Sequence, residues 1–283
     1  MYGKDVYIVV YSQGGKMKSR NHSIGLISVV IPAYNAEKTI EKAIQSAIAQ
    51  SYSDIEVIIV DDCSQDGTVK IVNAYAKKDS RIKVFQNQTN RGAAFSRNRG
   101  VKEARGEWIA FLDSDDKWDL LKLEKQSDIL KKNPSCPLCF TGSAFENKRG
   151  TRCSYMLSVP KQMNYHDLLK QNLISCSSVL VKKEALMEFP MQSDPMIHED
   201  LATWLKILKG GSEAVGVDEP LLIYRISSQS KSGNKLRAAR MQWKTYQVVG
   251  IGYLKSIRYF LIYAWRNIKK YIRILSDFER VNS

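Results

Sequence analysis

Residues 55–68 are IEVIIVDDCSQDGT and residues 107–116 are EWIAFLDSDD, so two short apolar runs each end in a cluster of acids. Runs of this length that are rich in β-branched and aromatic residues predict buried strands. In an open parallel sheet the carboxyl ends of the strands meet at one edge, which is where ligands bind. We therefore expect five carboxylates to converge on one crevice: Asp61, Asp62, Asp113, Asp115 and Asp116.

The carboxylate cluster indicates a metal site. Carboxylates that lie close together repel one another, and a divalent cation relieves that repulsion. Mg²⁺ or Mn²⁺ held by one or two Asp side chains usually also binds a phosphate, which indicates a nucleoside diphosphate compound as the ligand. The competing interpretation is that an Asp after a strand only shapes a turn or caps a helix. The presence of two clusters behind two strands favours the site.

The first half of the chain alternates predicted strands and helices. Strands are predicted at residues 26–31, 55–60, 82–86 and 108–112, and helices at 37–51, 68–78, 93–104 and 120–132. This alternation predicts an α/β fold with a mostly parallel sheet and helices on both faces. The pattern is looser after Cys136, with strands at 178–181, 215–217 and 221–224 and a helix at 201–208.

The net charge of +14 is concentrated towards the C-terminal end of the 283-residue chain, because residues 221–276 contain no Asp or Glu. Residues 236–275 are predicted to be helical, with basic residues largely off an apolar stripe. The stripe consists of Leu254, Ile257, Leu261, Ala264, Trp265, Ile268, Ile272 and Leu275. A basic, aromatic amphipathic helix suits the surface of an anionic membrane. The alternative is that the stripe packs on the domain.

The remaining composition bears on the compartment. No apolar run reaches the roughly 18 to 20 residues that span a bilayer, and the run Val6–Tyr11 is too short for a secretory signal and lacks a basic leader. Five cysteines, an odd number scattered along the chain, favour a reducing compartment. We expect a peripheral protein without a signal peptide or a transmembrane span, and a peripheral extension before the first strand.

Four motifs occur in order in the first part of the chain and are specific as a set. They are Val29-Val30-Ile31-Pro32-Ala33-Tyr34-Asn35, residues 61–68, residues 90–100 with Arg97, and Phe111-Leu112-Asp113-Ser114-Asp115-Asp116. Together they resemble the family-two inverting glycosyltransferases of the GT-A fold. Further on, Ile197-His198-Glu199-Asp200 followed by Trp204 resembles that family's Glu-Asp motif. Ile223-Tyr224-Arg225 followed by Ser227-Ser228 resembles a late basic element of its bacterial polysaccharide members.

The resemblance implies roles for these residues around a UDP-sugar. The implied donor-binding residues are Pro32, Ala33, Tyr34, Asp62, Arg97, Asp113, Ser114, Asp115 and Arg225, with Asp62 on the uracil. Mn²⁺ or Mg²⁺ would be held among Asp113, Asp115 and Asp116, without a choice of direct ligand. Asp200 matches the catalytic base, which takes the proton of the acceptor hydroxyl. An Asp at this place is also a usual helix cap, and the two roles are compatible.

The resemblance also implies a function. We expect a metal-dependent hexosyltransferase of bacterial O-antigen or other surface-polysaccharide synthesis, similar to the β-1,3-glucosyltransferases that use UDP-glucose and GlcNAc-diphospho-undecaprenol. It would work at the cytoplasmic face of the inner membrane, held at the anionic surface by its tail. The expected division is an extension over residues 1–25, a catalytic domain over 26–230 with donor half 26–120 and acceptor half 121–230, and a basic helical tail over 231–283.

Two other functions are weighed. Ser64-Gln65-Asp66-Gly67-Thr68 resembles the Asp-X-Asp-Gly-Thr motif of haloacid-dehalogenase-like phosphatases, but Ser64 stands where the nucleophilic carboxylate is needed. The positive charge suggests a nucleic-acid-binding protein. The basic residues lie apart from the sheet motifs and form no known nucleic-acid-binding motif, so we expect no nucleic acid partner.

Overall fold

The computed structural model describes residues 24–226 and 235–282, with side chains of the last helix described to Lys269 and at Ile272. The predicted N-terminal extension therefore lies outside the described residues except for Ile24 and Gly25. The serines of the late basic element, Ser227 and Ser228, also lie outside them.

The predicted alternation of strands and helices is confirmed in the first half. The elements are β1 (Ile27–Ala33), α1 (Ile40–Ile48), β2 (Ile55–Asp61), α2 (Thr68–Ala76), β3 (Ile82–Gln86), α3 (Ala93–Glu103) and β4 (Trp108–Phe111). β1 pairs in parallel with β2 and β4, and β2 pairs in parallel with β3. The register pairs Ala33 with Asp61, so β1 and β2 end together at one edge.

The elements of the second half are β5 (Lys117–Trp118), α4 (Lys122–Lys132), β6 (Leu138–Glu146), β7 (Arg152–Leu157), β8 (Gln162–Met163), α5 (Tyr165–Lys170), a 3₁₀ turn (Cys176–Ser178), β9 (Leu180–Lys182), α6 (Lys183–Glu188), α7 (Glu199–Leu208), β10 (Ala214–Arg225), α8 (Lys235–Val248) and α9 (Tyr253–Asn282). Of these, α4, β9 and α7 correspond to predicted elements, whereas β5, β6, β7, β8, α5, the 3₁₀ turn and α6 were not indicated by the sequence. The two short strands predicted at 215–217 and 221–224 are one strand, β10, whose pairing with β6 shifts between Val217 and Leu222.

All the strands form one sheet in the order β3-β2-β1-β4-β9-β6-β10-β5, with β7 on β6 and β8 on β10. The parallel arrangement is continuous only from β3 to β4. β9 runs antiparallel to both β4 and β6, and of the pairs beyond it only β6 with β10 is parallel. The α/β fold is confirmed, and the parallel part of its sheet is the half that carries the first acidic motifs.

Helices cover both faces of the sheet, as predicted. Along β1, Val29 and Ile31 lie in one apolar cluster with α1, α2 and α4, whereas Val30 lies in the other with α3 and α7. Successive side chains of a strand point to opposite faces, so a strand buried on both faces must be apolar throughout. α3 lies so close to β1 that a Cβ at Gly100 would collide with Val30. This close packing fixes the helix that carries Arg97.

The predicted single helix over residues 236–275 is wrong in one respect. It is interrupted between α8 and α9, where Gly250 has a φ of +80° that favours glycine. The stripe on α9 is exposed rather than packed on the domain: Leu254, Leu261, Trp265, Ile268 and Ile272 are all 59% exposed or more. None of the helices in the described part of the chain combines the length and the apolar content that a bilayer span requires.

Candidate active site

The carboxyl ends of β1 and β2 lie side by side at one edge of the sheet. Pro32 and Ala33 are the last residues of β1, and Tyr34 follows them with its side chain 49% exposed. The next residue, Asn35, has a φ of 47° and accepts a 2.8 Å hydrogen bond at Oδ1 from the Gln65 N–H. Ser64 Oγ accepts one of 2.9 Å from the Asn35 N–H. The loops after β1 and β2 are thus bonded to each other, and the exposed Tyr34 lies next to these bonds.

Asp62 organises a third loop at this edge. Its side chain is 3% exposed and accepts hydrogen bonds from the Asn87 side chain at 2.7 Å and the Gly92 N–H at 2.6 Å. The Arg91 N–H also contacts both carboxylate oxygens, at 3.0 and 3.1 Å. Asp62 therefore holds the segment between β3 and α3 against the end of β2. Its predicted contact with uracil stays a prediction.

The acidic turn lies between β4 and β5. The Asp113 N–H donates to Ser177 Oγ at 3.0 Å, and the Arg225 N–H donates to Asp116 Oδ1 at 3.0 Å. Burial, followed by the charge of Asp113, raises the pKa of Asp115 to about 6. Burial and then the charge of Asp115 raise the pKa of Asp116 well above its usual range. The turn therefore holds carboxyl groups whose charged forms are disfavoured by burial and by one another.

A divalent cation fits this arrangement only with help from a ligand. In the described residues no three His, Cys, Asp or Glu side chains are grouped so that they would hold a metal ion by themselves. The Asp115 side chain makes no hydrogen bond or ion pair to another residue within that part of the chain, whereas Asp116 is 2% exposed and bonded to the Arg225 N–H. Mg²⁺ is usually bound through one or two carboxylates together with phosphate oxygens, which matches these residues.

Arg97 joins the acidic turn to the second half of the chain. Its Nη2 lies 2.5 Å from Asp113 Oδ1 and its Nη1 lies 3.2 Å from Glu199 Oε1. Burial alone would lower the pKa of Arg97, but the charges of Asp113 and other neighbours raise it well above its ordinary value. The guanidinium is thus fixed and fully charged. Sequence reasoning assigned Arg97 to the diphosphate, and the structure adds that two carboxylates already bind it.

Asp200 lies beside this ion-pair network. It is the second residue of α7, which begins at Glu199, so the expectation that Asp200 caps a helix starting at Leu201 is wrong. Burial and then the charge of Glu199 raise the pKa of Asp200, while His198 and Arg97 act to lower it. A carboxylate whose pKa is raised towards neutrality is a better general base than a fully solvated one.

Arg225 and Ser114 complete the set of predicted donor residues. Arg225 ends β10, and its charge lowers the pKa of Asp115 against the effect of burial. Its Nη2 donates to the Lys148 carbonyl at 3.2 Å. Ser114 lies half-buried within the acidic turn. The structure therefore brings Arg225, from the far side of the sheet, to the motif after β4.

The sequence did not indicate the buried residues that lie against Asp113. Ser177 is 1% exposed and accepts the Asp113 N–H, while its carbonyl accepts a 2.7 Å hydrogen bond from Trp118 Nε1. Cys176 is buried next to it, and the charges of Asp113, Glu199 and Asp200 act on its thiol. The signal that could have found them is the polar run Ser175-Cys176-Ser177-Ser178, which stands just before the buried strand β9.

Comparisons with known sequences agree with this geometry. Residues 28–188 match the family described as Glycosyl transferase family 2. The chain is 40% identical over 246 residues to TuaG of Bacillus subtilis (strain 168), a putative teichuronic acid biosynthesis glycosyltransferase, with 87% of this chain and 97% of that protein covered. It is 36% identical over 248 residues to WfgD of Escherichia coli, with 87% and 95% covered. WfgD is named a UDP-Glc:alpha-D-GlcNAc-diphosphoundecaprenol beta-1,3-glucosyltransferase.

The fold also has close structural counterparts. The structure of S. aureus TarS residues 1–349 in complex with UDP-GlcNAc superposes with a TM-score of 0.64 at 20% identity. The superposition covers 79% of this chain and 65% of that one. A likeness at this level of identity concerns the fold, and it confirms the predicted GT-A arrangement.

Proposed function

The chain belongs to glycosyl transferase family 2, and on that premise we propose that it transfers a hexose from a UDP-sugar to a sugar carried on a lipid diphosphate. Glucose and a β-1,3 linkage are the specific choice, and they are supported by the 36% identity to WfgD over nearly the whole of both chains. The product would belong to O-antigen or another surface polysaccharide.

One observation carries the proposal: Arg97 links the acidic turn to the start of α7 through two ion pairs. Donor and acceptor groups must meet in a single step when the anomeric centre is inverted. Asp113 belongs to the predicted donor side and Glu199 directly precedes the predicted base, Asp200. A side chain that touches both halves keeps those groups within one site, where proximity contributes a large part of the rate.

Each half has its own task in the reaction. The crevice beyond β1 and β2 binds the uridine, with Tyr34 at its border. Asp200 accepts the proton of the acceptor hydroxyl while that oxygen attacks the anomeric carbon and the bond to UDP breaks. General-base catalysis of this kind contributes about 10²- to 10⁴-fold. A single displacement inverts the centre, so an α-linked donor gives a β-linked product.

We assign Mn²⁺ or Mg²⁺ to Asp115 and Asp113. A divalent cation there supplies Lewis-acid stabilisation of the negative charge that develops on the departing UDP. Asp115 is the better candidate because Asp113 already shares its charge with Arg97. Asp116 instead connects the turn to β10. Asp115→Asn should weaken the binding of Mn²⁺ in the presence of UDP, while Asp119→Asn, a neighbouring acid outside the turn, should leave it unchanged.

The reaction is tested by a donor screen. Purified protein, Mn²⁺ and a synthetic GlcNAc-diphosphate-lipid are incubated with UDP-glucose, UDP-galactose, UDP-GlcNAc or UDP-GalNAc, and products are followed by mass spectrometry. We expect a hexose adduct from UDP-glucose. Asp200→Asn should reduce transfer by about 10²- to 10⁴-fold without weakening UDP binding, and Asp167→Asn on α5 is the matched control. Transfer at the wild-type rate by Asp200→Asn would exclude Asp200 as the base.

The exposed stripe of α9 would hold the enzyme at the cytoplasmic face of the inner membrane. The cations Lys255, Arg258, Arg266 and Lys269 lie along one side of its apolar side chains, and Lys269 Nζ lies 3.7 Å from the Trp265 ring centroid. The opposite side of the helix packs on the domain through Tyr259 and Phe260. An apolar face with cations along one side suits an anionic bilayer, where aliphatic side chains enter the interface and Lys and Arg meet the headgroups.

Sedimentation with vesicles tests this surface. Wild-type protein should bind vesicles that contain phosphatidylglycerol and bind those of phosphatidylcholine alone more weakly. Leu261→Gln should reduce binding by about tenfold or more, since burying one Leu contributes about 1.5 to 3 kcal/mol. Met187→Gln, at a residue on α6 that is 52% exposed, is the control. Equal binding by both variants would contradict the proposal, and binding to duplex DNA would favour the nucleic-acid alternative.

A further inference from the structure

Helix α8 packs against the segment that leads into the candidate base. α8 follows β10 in the chain and contacts α7, and its inward side chains Met241, Gln242, Thr245 and Tyr246 are all 1% exposed or less. Tyr246 Oη donates to the Leu169 carbonyl at 2.7 Å, which ties α8 to α5 as well. α8 is therefore a firmly packed element, although it lies outside residues 28–188 that match the family.

Thr245 makes the central contact. The His198 N–H donates to Thr245 Oγ1 at 3.0 Å, and that hydroxyl in turn donates to the Met241 carbonyl at 2.8 Å. The hydroxyl proton is thus already used within α8, which leaves the oxygen oriented to accept from His198. Because His198 immediately precedes α7, the backbone position at the start of that helix depends on a side chain of α8.

Two further contacts join the same pair of segments. His198 Nε2 lies 3.3 Å from the Ala238 carbonyl oxygen, and since a carbonyl only accepts, this contact requires the proton on Nε2. Lys244 Nζ lies 2.8 Å from Asp194 Oδ2, at the beginning of the segment. The segment over residues 194–198 is therefore held to α8 at both of its ends.

α8 also contacts the helix that carries the exposed stripe. The Trp243 ring lies edge-on to Tyr253 at 5.7 Å and to Phe260 at 5.8 Å between centroids. Trp243, Lys244 and Thr245 are consecutive, so one turn of α8 meets α9 on one side and the segment before α7 on the other. The position of the base is thereby connected to packing that is remote from the donor crevice.

We propose that Thr245 is a positioning residue for glycosyl transfer, which acts through His198 to fix the start of α7 and hence Asp200 relative to Arg97. The proposal rests on the proposed function, in which Asp200 is the base. A catalytic group displaced by about 1 Å can lose about 10²-fold in rate. The donor crevice is built from β1, β2 and the acidic turn. A substitution at Thr245 should therefore lower kcat and leave donor binding intact.

The test compares Thr245→Val, which replaces the hydroxyl by a methyl group, with Thr245→Ser, which restores it. Thr141→Val is the matched control, because Thr141 is also 0% exposed and its hydroxyl donates to a carbonyl, that of Gly142 on β6. Kinetics use whichever of the four UDP-sugars supports transfer, with Mn²⁺ and the GlcNAc-diphosphate-lipid. UDP binding is measured separately by calorimetry.

We expect Thr245→Val to lower kcat by about 10- to 100-fold while the donor KM and UDP affinity change less than about twofold, and Thr245→Ser to recover most of the loss. Thr141→Val should leave kcat unchanged. A wild-type kcat for Thr245→Val, or an equal loss in Thr141→Val, would overturn the proposal. Lys244→Met, at a side chain that is 43% exposed, should lower kcat more mildly. If Thr245→Val does not fold, the kcat of Lys244→Met tests the proposal instead.

Amide hydrogen exchange separates this proposal from the proposed function. Thr245→Val should speed exchange of the amides over residues 198–201, and Thr141→Val should not. Unchanged exchange there would overturn the positioning role whatever the reaction is. If instead exchange and kcat both respond but Asp200→Asn remains fully active, Thr245 positions α7 and the assignment of Asp200 as the base is what fails.

Discussion

Replacing Arg97 by Met removes the charge that holds the two halves of the site together. Met fills a similar length of apolar space without a charge, so the main effect is on Asp113 and Glu199, which each lose an ion pair. The two carboxylates are unequally placed: the Asp113 side chain is 31% exposed and the Glu199 side chain is 9% exposed. Water compensates Asp113 far better than Glu199, and the loss should come mainly from Glu199.

The magnitude follows from this difference in exposure. Removing one partner of a buried ion pair costs about 3 to 5 kcal/mol, because a charge is left in a poorly solvated place. A pair between solvent-exposed side chains contributes about 0 to 1 kcal/mol, and the pair with Asp113, whose side chain is 31% exposed, lies between these two cases. We therefore expect Arg97→Met to lower the free energy of unfolding by about 3 to 4 kcal/mol, of which Glu199→Gln in the same chain should recover at least half.

Urea unfolding of the wild type, both single variants and the double variant measures this coupling as a double-mutant cycle. Arg105→Met is the control: it removes the pair between Arg105 Nε and Glu56 Oε2 at 3.0 Å, in which the arginine side chain is 66% exposed. It should cost less than about 1 kcal/mol. An Arg97→Met protein as stable as the control, or effects of Arg97→Met and Glu199→Gln that simply add, would refute the reasoning.

Two buried titratable groups give predictions for the pH dependence of stability, both measured by urea unfolding across pH. Burial alone would raise the pKa of Glu56, but hydrogen bonds from the Arg105 N–H, Ser28 and Lys83 outweigh it and lower the pKa from 4.5 to about 2. Glu56→Gln should therefore cost about 3 kcal/mol at neutral pH. This deficit should shrink as the pH falls below 4.5 and should vanish once the pH has fallen through about 2, since wild-type Glu56 is then protonated in both the folded and the unfolded state. Burial lowers the pKa of Lys122 from 10.5 to about 7. Between these pH values the unfolded chain binds a proton that the folded protein does not, so the free energy of unfolding of the wild type should rise with pH across that interval. Lys122→Met should lack this rise and should be more stable than the wild type at neutral pH, and a variant that keeps the rise would contradict the lowered pKa of Lys122.

The sequence predicted the donor half well because its signals are local. β2 and β4 are short apolar runs that end in acids, and the parallel pairing that brings Asp61 beside Ala33 follows from the alternation of strands and helices. The stripe on α9 is likewise a repeat that can be found without knowing its neighbours. Each of these features depends on spacing within about fifteen residues, which sequence patterns report directly.

The features that were missed depend on contacts between distant residues. Ser177 supports Asp113 from 64 positions away, and Arg97 reaches Glu199 across 102 positions. A strand was predicted where β9 lies, but its antiparallel pairing with both β4 and β6 was not. The break between α8 and α9 depended on one glycine within an otherwise helical pattern, which is tolerated in many helices. Neither the long-range contacts nor the helix break produces a regular spacing of residue types that could be recognised in the sequence.

The arrangement of charge explains why the two halves are joined by an arginine rather than by apolar packing. In the proposed reaction the acidic turn would need cations to bind a diphosphate, and the base beside it would have to stay able to accept a proton. Arg97 serves both needs, because its charge neutralises Asp113 and Glu199 while it only partly offsets the effect of burial on Asp200. If Asp200 is the base, as we propose, the position of α7 sets where the acceptor hydroxyl must lie.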